Sequence, residues 1–181
     1  MKHILVVGGT GMLADAVCEL NNQGNKVTVI ARGESKLEHL HSRCNNPDQF
    51  NSISLDYENY EQLQHVLQND ANKFGQIDCV IAWIQSNESK ALGIIMNEIT
   101  GTESFNVFHV LGSRSNLQEV KQGLNIPVNC KYHQVKLGFI VEHNTSRWLT
   151  NNEISSGVIR AYNSEEEISI VGTLEPWNMR P

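Results

Sequence analysis

His3-Ile4-Leu5-Val6-Val7-Gly8-Gly9-Thr10-Gly11-Met12-Leu13-Ala14 is the stretch that decides the fold of this chain. The apolar run from Ile4 reads as a buried strand, and Leu13, Ala16, Val17 and Leu20 follow at helical spacing. A glycine-rich turn between strand and helix leaves backbone N–H groups pointing outward at a helix N-terminus, the geometry that holds a pyrophosphate. Gly9 and Gly11 fall on the first two glycines of G-x-G-x-x-G/A, and Ala14 takes the third place. In that pattern Gly9 makes the tight turn, Gly11 lets the backbone approach a phosphate, and Ala14 lets the helix pack close to the strand. Gly8, Thr10, Met12 and Leu13 complete the candidate nucleotide-binding turn. The competing reading is an ordinary strand–helix turn with incidental glycines. The position directly after a strand and before a helix favours the fingerprint.

Outward from this turn, strands and helices alternate. Lys26–Arg32 reads as a second strand, and Ser35-Lys36-Leu37-Glu38 as a capping box opening a helix to about Cys44, broken at Asn45-Asn46-Pro47. Phe50–Leu55 alternates as a third strand, a helix runs from Asn59 to Phe74, and Gly75 stops it. Ile77–Ile84 is a fourth, central strand, and Ser89–Ile99 a helix burying Ala91, Leu92, Ile95, Met96 and Ile99. Asn106–Gly112 is a fifth strand, followed by a short helix capped near Asn116. Tyr132–Val141 is a sixth, a capping box at Thr150–Glu153 starts a helix through Tyr162, and Ile168–Gly172 is a last edge strand. This order predicts a single α/β domain over residues 1–181: a doubly wound parallel sheet of about seven strands in a Rossmann-like three-layer sandwich.

Composition narrows the function classes. A net charge of −6 argues against non-specific nucleic-acid binding. No apolar run approaches the roughly 20 residues of a membrane span, and the N-terminal segment reads as structural rather than as a signal peptide. Cys18, Cys44, Cys79 and Cys130 are scattered without CxxC or zinc spacing. Cys18 and Cys79 sit in apolar patterns as buried thiols, which fits a reducing cytoplasm. The histidines show no ligand spacing: His39 and His41 share no helix face, His109 lies in an apolar strand, and no metal is implied.

The residue ending the second strand selects the dinucleotide. An acid there would bind a ribose diol and favour NAD. This chain has Arg32, suited to a 2′-phosphate, so NADP is expected and NAD is less favoured. Ser35 and Lys36 are placed to contact the same phosphate, and Glu34 is the dissenting residue. Asp56 either lines the adenine side or starts a turn.

Val7-Gly8-Gly9-Thr10-Gly11-Met12, Val29-Ile30-Ala31-Arg32 and Leu55-Asp56, with Ser113 at the end of the fifth strand, resemble the short-chain dehydrogenase/reductase superfamily. The resemblance implies a seven-strand parallel sheet, NAD(P) binding and frequent oligomers. This chain would be an atypical short member. Ala82-Trp83-Ile84-Gln85 stands where the family carries an Asn-Asn-Ala-Gly-like segment, and the substrate-covering region before the last strand is largely missing.

The family's catalytic core is a Tyr-x-x-x-Lys on a helix with a serine upstream. Tyr132-His133-Gln134-Val135-Lys136 matches the spacing, which makes Ser113, Tyr132 and Lys136 the candidate catalytic residues. On a helix the pair would stand about 6 Å apart on one face. The period of two from Tyr132 to Val141, with Gly138 inside it, predicts a strand instead. There the two would share a face about 13 Å apart, too far to act together. Further candidates lie where strands end: Trp83, Gln85 and Ser86 after the fourth, Gly112, Ser113 and Arg114 after the fifth. Trp83 stacks on a nicotinamide or is core, and Arg147 with Trp148 grips an anion or packs. Two functions are expected: an NADP-dependent oxidoreductase acting on a small carbonyl or alcohol, or a non-catalytic NADP-binding redox sensor or regulatory protein. A scaffold with a decayed nucleotide site is a weaker third. The apolar segment from Val171 to Trp177 suggests a homo-oligomer.

Overall fold

The computed structural model describes residues 1–84, 89–99 and 103–181. The chain runs β1 (His3–Val7), α1 (Ala14–Asn22), β2 (Lys26–Ala31), α2 (Glu34–Arg43), β3 (Phe50–Ser54), α3 (Tyr60–Phe74), β4 (Cys79–Trp83), α4 (Ser89–Glu98) and β5 (Phe105–Leu111). It continues with α5 (Leu117–Gln122), β6 (Cys130–Leu137), β7 (Phe139–Glu142), β8 (Thr145–Trp148), α6 (Asn151–Ser164) and β9 (Ile168–Val171). Seven strands form one parallel sheet in the order β3-β2-β1-β4-β5-β6-β9. This is the doubly wound α/β architecture the alternation of elements predicts. No described helix is long and apolar enough to cross a membrane.

Every residue of β1 is buried, as a central strand covered on both faces must be. Its side chains alternate between two cores. Ile4 and Val6 meet α1, α2 and α6 on one face, where Val17, Leu37, Leu40 and Val158 also pack. Leu5 and Val7 meet α3 and α4 on the other, with Leu63, Leu67, Leu92 and Ile95. Because the chain winds outward from β1 to β3 and then returns to place β4 beside β1, the strand order reverses between β1 and β4. A crevice opens there at the strands' C-terminal ends.

Local details depart from the sequence reading at Ser35 and Gly138. The capping box at Ser35 does not form: α2 begins at Glu34 with Gly33 as its N-cap, no side chain caps it, and Ser35 lies within the helix. The strand expected over Tyr132–Val141 divides at Gly138. A β-carbon on Gly138 would stand 2.0 Å from the Thr173 carbonyl oxygen. The chain turns away from the sheet there, and β7 pairs antiparallel with β8. His143 and Asn144, both at positive φ, make the two-residue hairpin turn. The capping box at Thr150 does form, with reciprocal bonds between Thr150 and Glu153.

Beneath the sheet's N-terminal end lies a buried polar cluster. Asp70 Oδ1 accepts from the Thr28 hydroxyl at 2.9 Å and the Asn51 amide at 2.8 Å. Asp70 Oδ2 faces His3 Nε2 at 3.2 Å. His3 Nδ1 lies 2.8 Å from the Gly75 carbonyl, which fixes the ring.

Candidate functional site

The turn after β1 is built around Gly8. Its φ of +79° is left-handed backbone, which glycine takes without a side-chain penalty. Its N–H donates to the Ile30 carbonyl at 2.9 Å, which continues the β1–β2 pairing into the turn. The tight turn expected at Gly9 is therefore made by Gly8. Gly9 provides clearance instead. A β-carbon there would meet Val29 at 2.9 Å and Val17 and Val6 at 3.1 Å, so its absence lets the turn lie flat on the core. A β-carbon on Gly11 would meet nothing within 4 Å. The backbone there faces open space.

No side chain caps the α1 N-terminus, so its field is directed at the turn. Asp15 in its first turn is ion-paired with Arg43 of α2. Leu13 is fully buried core. The Met12 carbonyl accepts from the Ser155 hydroxyl at 2.7 Å, and its side chain packs on the core. These two residues hold the turn in place rather than present side chains to a ligand.

Gly8, Thr10, Ile30, Ala31, Arg32, Gly33, Lys36, Tyr57, Glu58 and Trp83 line a cavity of about 420 Å³ at the reversal point. Arg32 is exposed at the end of β2 and makes no ion pair among the described residues. Beside it, a space of about 280 Å³ is bordered by Thr10, Ser35, Lys36, His39 and Arg43. A third, of about 350 Å³, is bordered by Arg32, Ser54, Leu55, Asp56, Asn59 and Gln62. Asp56 borders that space and also forms a turn, its Oδ1 accepting the Glu58 N–H at 3.1 Å. Glu34 lines none of the three.

Trp83 ends β4 beside the turn. A β-carbon on Gly8 would press on its carbonyl oxygen, while the far edge of its indole reaches toward Gly112, where a β-carbon would lie 4.0 Å from Cη2. The ring therefore spans the C-terminal edge of the sheet from β1 toward β5. Gln85 and Ser86 lie outside the described residues.

The candidate catalytic residues are not brought together. Tyr132 and Lys136 both lie on β6, in register with Val107 and Leu111 of β5. The helical Tyr-x-x-x-Lys geometry is absent, and four residues of strand separate the pair by about 13 Å. Tyr132 is buried, its hydroxyl 2.7 Å from His109 Nδ1. Burial raises the phenol's pKa and lowers that of His109 to about 4, so both stay neutral. Ser113 is buried two residues beyond β5 and accepts a hydrogen bond from Arg180 Nε at 3.1 Å. Arg180 follows a short 3-10 turn at Trp177–Met179, and its guanidinium carbon lies 4.8 Å from the Trp148 ring centroid and 5.2 Å from that of Trp177. Sequence reasoning missed Arg180, which lies 67 residues from its partner. Arg147 grips its own chain, bonding Glu153 at 2.9 Å and Glu142 at 3.3 Å.

The sequence model of the family described as short chain dehydrogenase matches residues 2–90. No curated protein matches the sequence. Solved structures share the fold over nearly the whole chain. A short-chain dehydrogenase/reductase from Serratia marcescens is 13% identical over 94% of this chain and 97% of its own, with a TM-score of 0.72. A short-chain dehydrogenase from Streptomyces avermitilis is 15% identical over 95% and 88%, with a TM-score of 0.70. A betaketoacyl-ACP reductase from Bacteroides thetaiotaomicron is 13% identical over 95% of each chain, with a TM-score of 0.66.

Proposed function

The chain belongs to the short-chain dehydrogenase/reductase superfamily, and on that premise we propose that it is an NADP-binding oxidoreductase acting on a small carbonyl or alcohol. The observation that carries this reading is the cavity at the β1–β4 reversal, lined by Gly8 and Thr10 of the glycine turn and by Arg32 and Lys36. Gly8, Gly9, Thr10 and Gly11 would hold the pyrophosphate against the α1 N-terminus. Arg32 and Lys36, with Ser35 beside them, would hold the 2′-phosphate. Asp56 would border the adenine, and Trp83 would floor the cleft between the two halves of the dinucleotide. NADP, when bound, supplies or accepts a hydride. Trp83 would cover part of the cleft, and Ser113 stands two residues beyond the end of β5.

One observation favours the second reading, a non-catalytic NADP-binding sensor: Tyr132 is committed to His109 inside the protein and Lys136 is remote from it. Thermal unfolding with NADPH, with NADH and with neither tests the cofactor. NADPH at a hundredfold excess over its Kd adds about 2.7 kcal/mol, a rise of about 5–10 °C for a domain of this size. Arg32→Ala abolishes the preference for NADPH over NADH. Consumption of NADPH with small carbonyls separates the two readings: turnover supports the oxidoreductase, a shift without turnover the sensor. No shift with either nucleotide removes both.

A further inference from the structure

We propose that Arg180 and Ser113 form a carboxylate subsite, and that the ligand it takes is a small organic acid. Its role as the substrate site rests on the oxidoreductase reading above. Following the C-terminal edge of the sheet from the glycine turn, one meets Trp83, then Gly112 and Ser113, then Arg180. The C-terminal tail thus brings a permanent positive charge beside Ser113, at the C-terminal edge of the sheet.

The way Arg180 is held points to a ligand. Arg43 and Arg147 are neutralised by carboxylates of this chain. Arg180 is fixed instead by two indoles and one hydroxyl, and no carboxylate ion-pairs with it among the described residues. Its Nε is committed to Ser113, while neither terminal nitrogen has an acceptor among the described residues. Contact with the indole rings orients the guanidinium. An in-plane carboxylate fits the remaining nitrogens.

The hydrogen bond also sets the direction of the Ser113 proton. Its oxygen accepts from Nε, so its own O–H is available to donate outward. A carboxylate oxygen on the terminal nitrogen whose N–H runs alongside Nε–H stands beside Ser113, and the hydroxyl donates a further hydrogen bond to it.

The test uses oxamate, an unreactive analogue of a 2-oxo acid, and its neutral ethyl ester, titrated into the full-length protein with and without NADPH. Heat and tryptophan emission are both recorded, since Trp148 and Trp177 flank the guanidinium. Saturable oxamate binding with a change in emission is expected, with no response to the ester. Arg180→Lys, which keeps the charge and loses the fork, weakens binding by about tenfold or more. Ser113→Ala weakens it less and provides a second variant if the first does not fold; melting curves check both. Absence of saturable oxamate binding while NADPH still stabilises the protein overturns the subsite and leaves the cofactor reading intact. Equal binding of the ester, or oxamate binding untouched by both substitutions, also overturns it. Oxamate binding without any NADPH stabilisation keeps the subsite and removes the cofactor reading.

Discussion

Gly8 and Trp83 meet across the point where the sheet reverses its order: a β-carbon on Gly8 would stand 2.8 Å from the Trp83 carbonyl oxygen. Strand β4 is backbone-bonded on both sides and cannot retreat. Gly8→Ala therefore combines a left-handed φ with a backbone clash and costs about 1–3 kcal/mol. Gly11→Ala, whose new methyl meets nothing, changes stability by less than about 0.5 kcal/mol yet weakens NADPH binding, because it fills the space the phosphate needs. Denaturant melts and nucleotide titrations of the two variants separate the architectural glycine from the ligand-facing one.

Asp70 carries three partners in a dry setting: Thr28, Asn51 and His3. Asp70→Ala strands the Asn51 amide and leaves Thr28 and His3 with each other and the Gly75 carbonyl, at a cost of about 1–3 kcal/mol. The cluster lies at the opposite end of the strands from the cofactor cavity. Loss of stability with NADPH affinity unchanged, at a temperature where the variant is folded, is the expected result.

His109 gives the protein a specific acid sensitivity. Burial lowers its pKa from 6.5 to about 4 in the folded state. Above 6.5 the residue is neutral in both states and its contribution is fully present. As pH falls from 6.5 toward 4 the unfolded chain takes up a proton the folded one refuses, and about 3 kcal/mol is lost across that window. Below about 4 the loss levels off. Unfolding free energies measured every half unit of pH show this slope, and His109→Gln removes it.

The thiols are quiet despite two of them being neighbours. Cys18 and Cys44 are buried with their sulfurs 3.6 Å apart. Burial and then the hydrogen bond to the Cys18 thiol push Cys44 up to about 12, and burial does the same for Cys130. Cys79 is shifted upward by full burial. At about pH 8 an aromatic disulfide reagent titrates the folded protein far more slowly than a free thiol, and denaturant releases all four cysteines. Rapid reaction of Cys44 in the folded state would contradict the packing of α1 against α2.

The frame of the molecule was legible because its signals are local. An apolar strand running into glycines, the helix stop at Gly75 and the capping box at Thr150 each depend on residues a few positions apart. The period of two around Tyr132 outweighed a tempting spacing match, and the structure places that segment in β6. What escaped was set by distant chain. Which of two adjacent glycines takes the left-handed φ depends on where β4 lies. The break at Gly138 depends on the carbonyl of Thr173 crossing behind it. The hairpin turn uses His143-Asn144 rather than Asn-Gly, so nothing nearby announces it. Arg180 finds Ser113 only once the sheet has brought the tail back across β5.

The hydrogen bond from Ser155 to the Met12 carbonyl joins residues 143 positions apart. It fastens the loop that follows the first strand to the last helix, so the nucleotide end of the molecule is closed by both halves of the chain. A chain cut before α6 therefore carries the glycine sequence without this anchor.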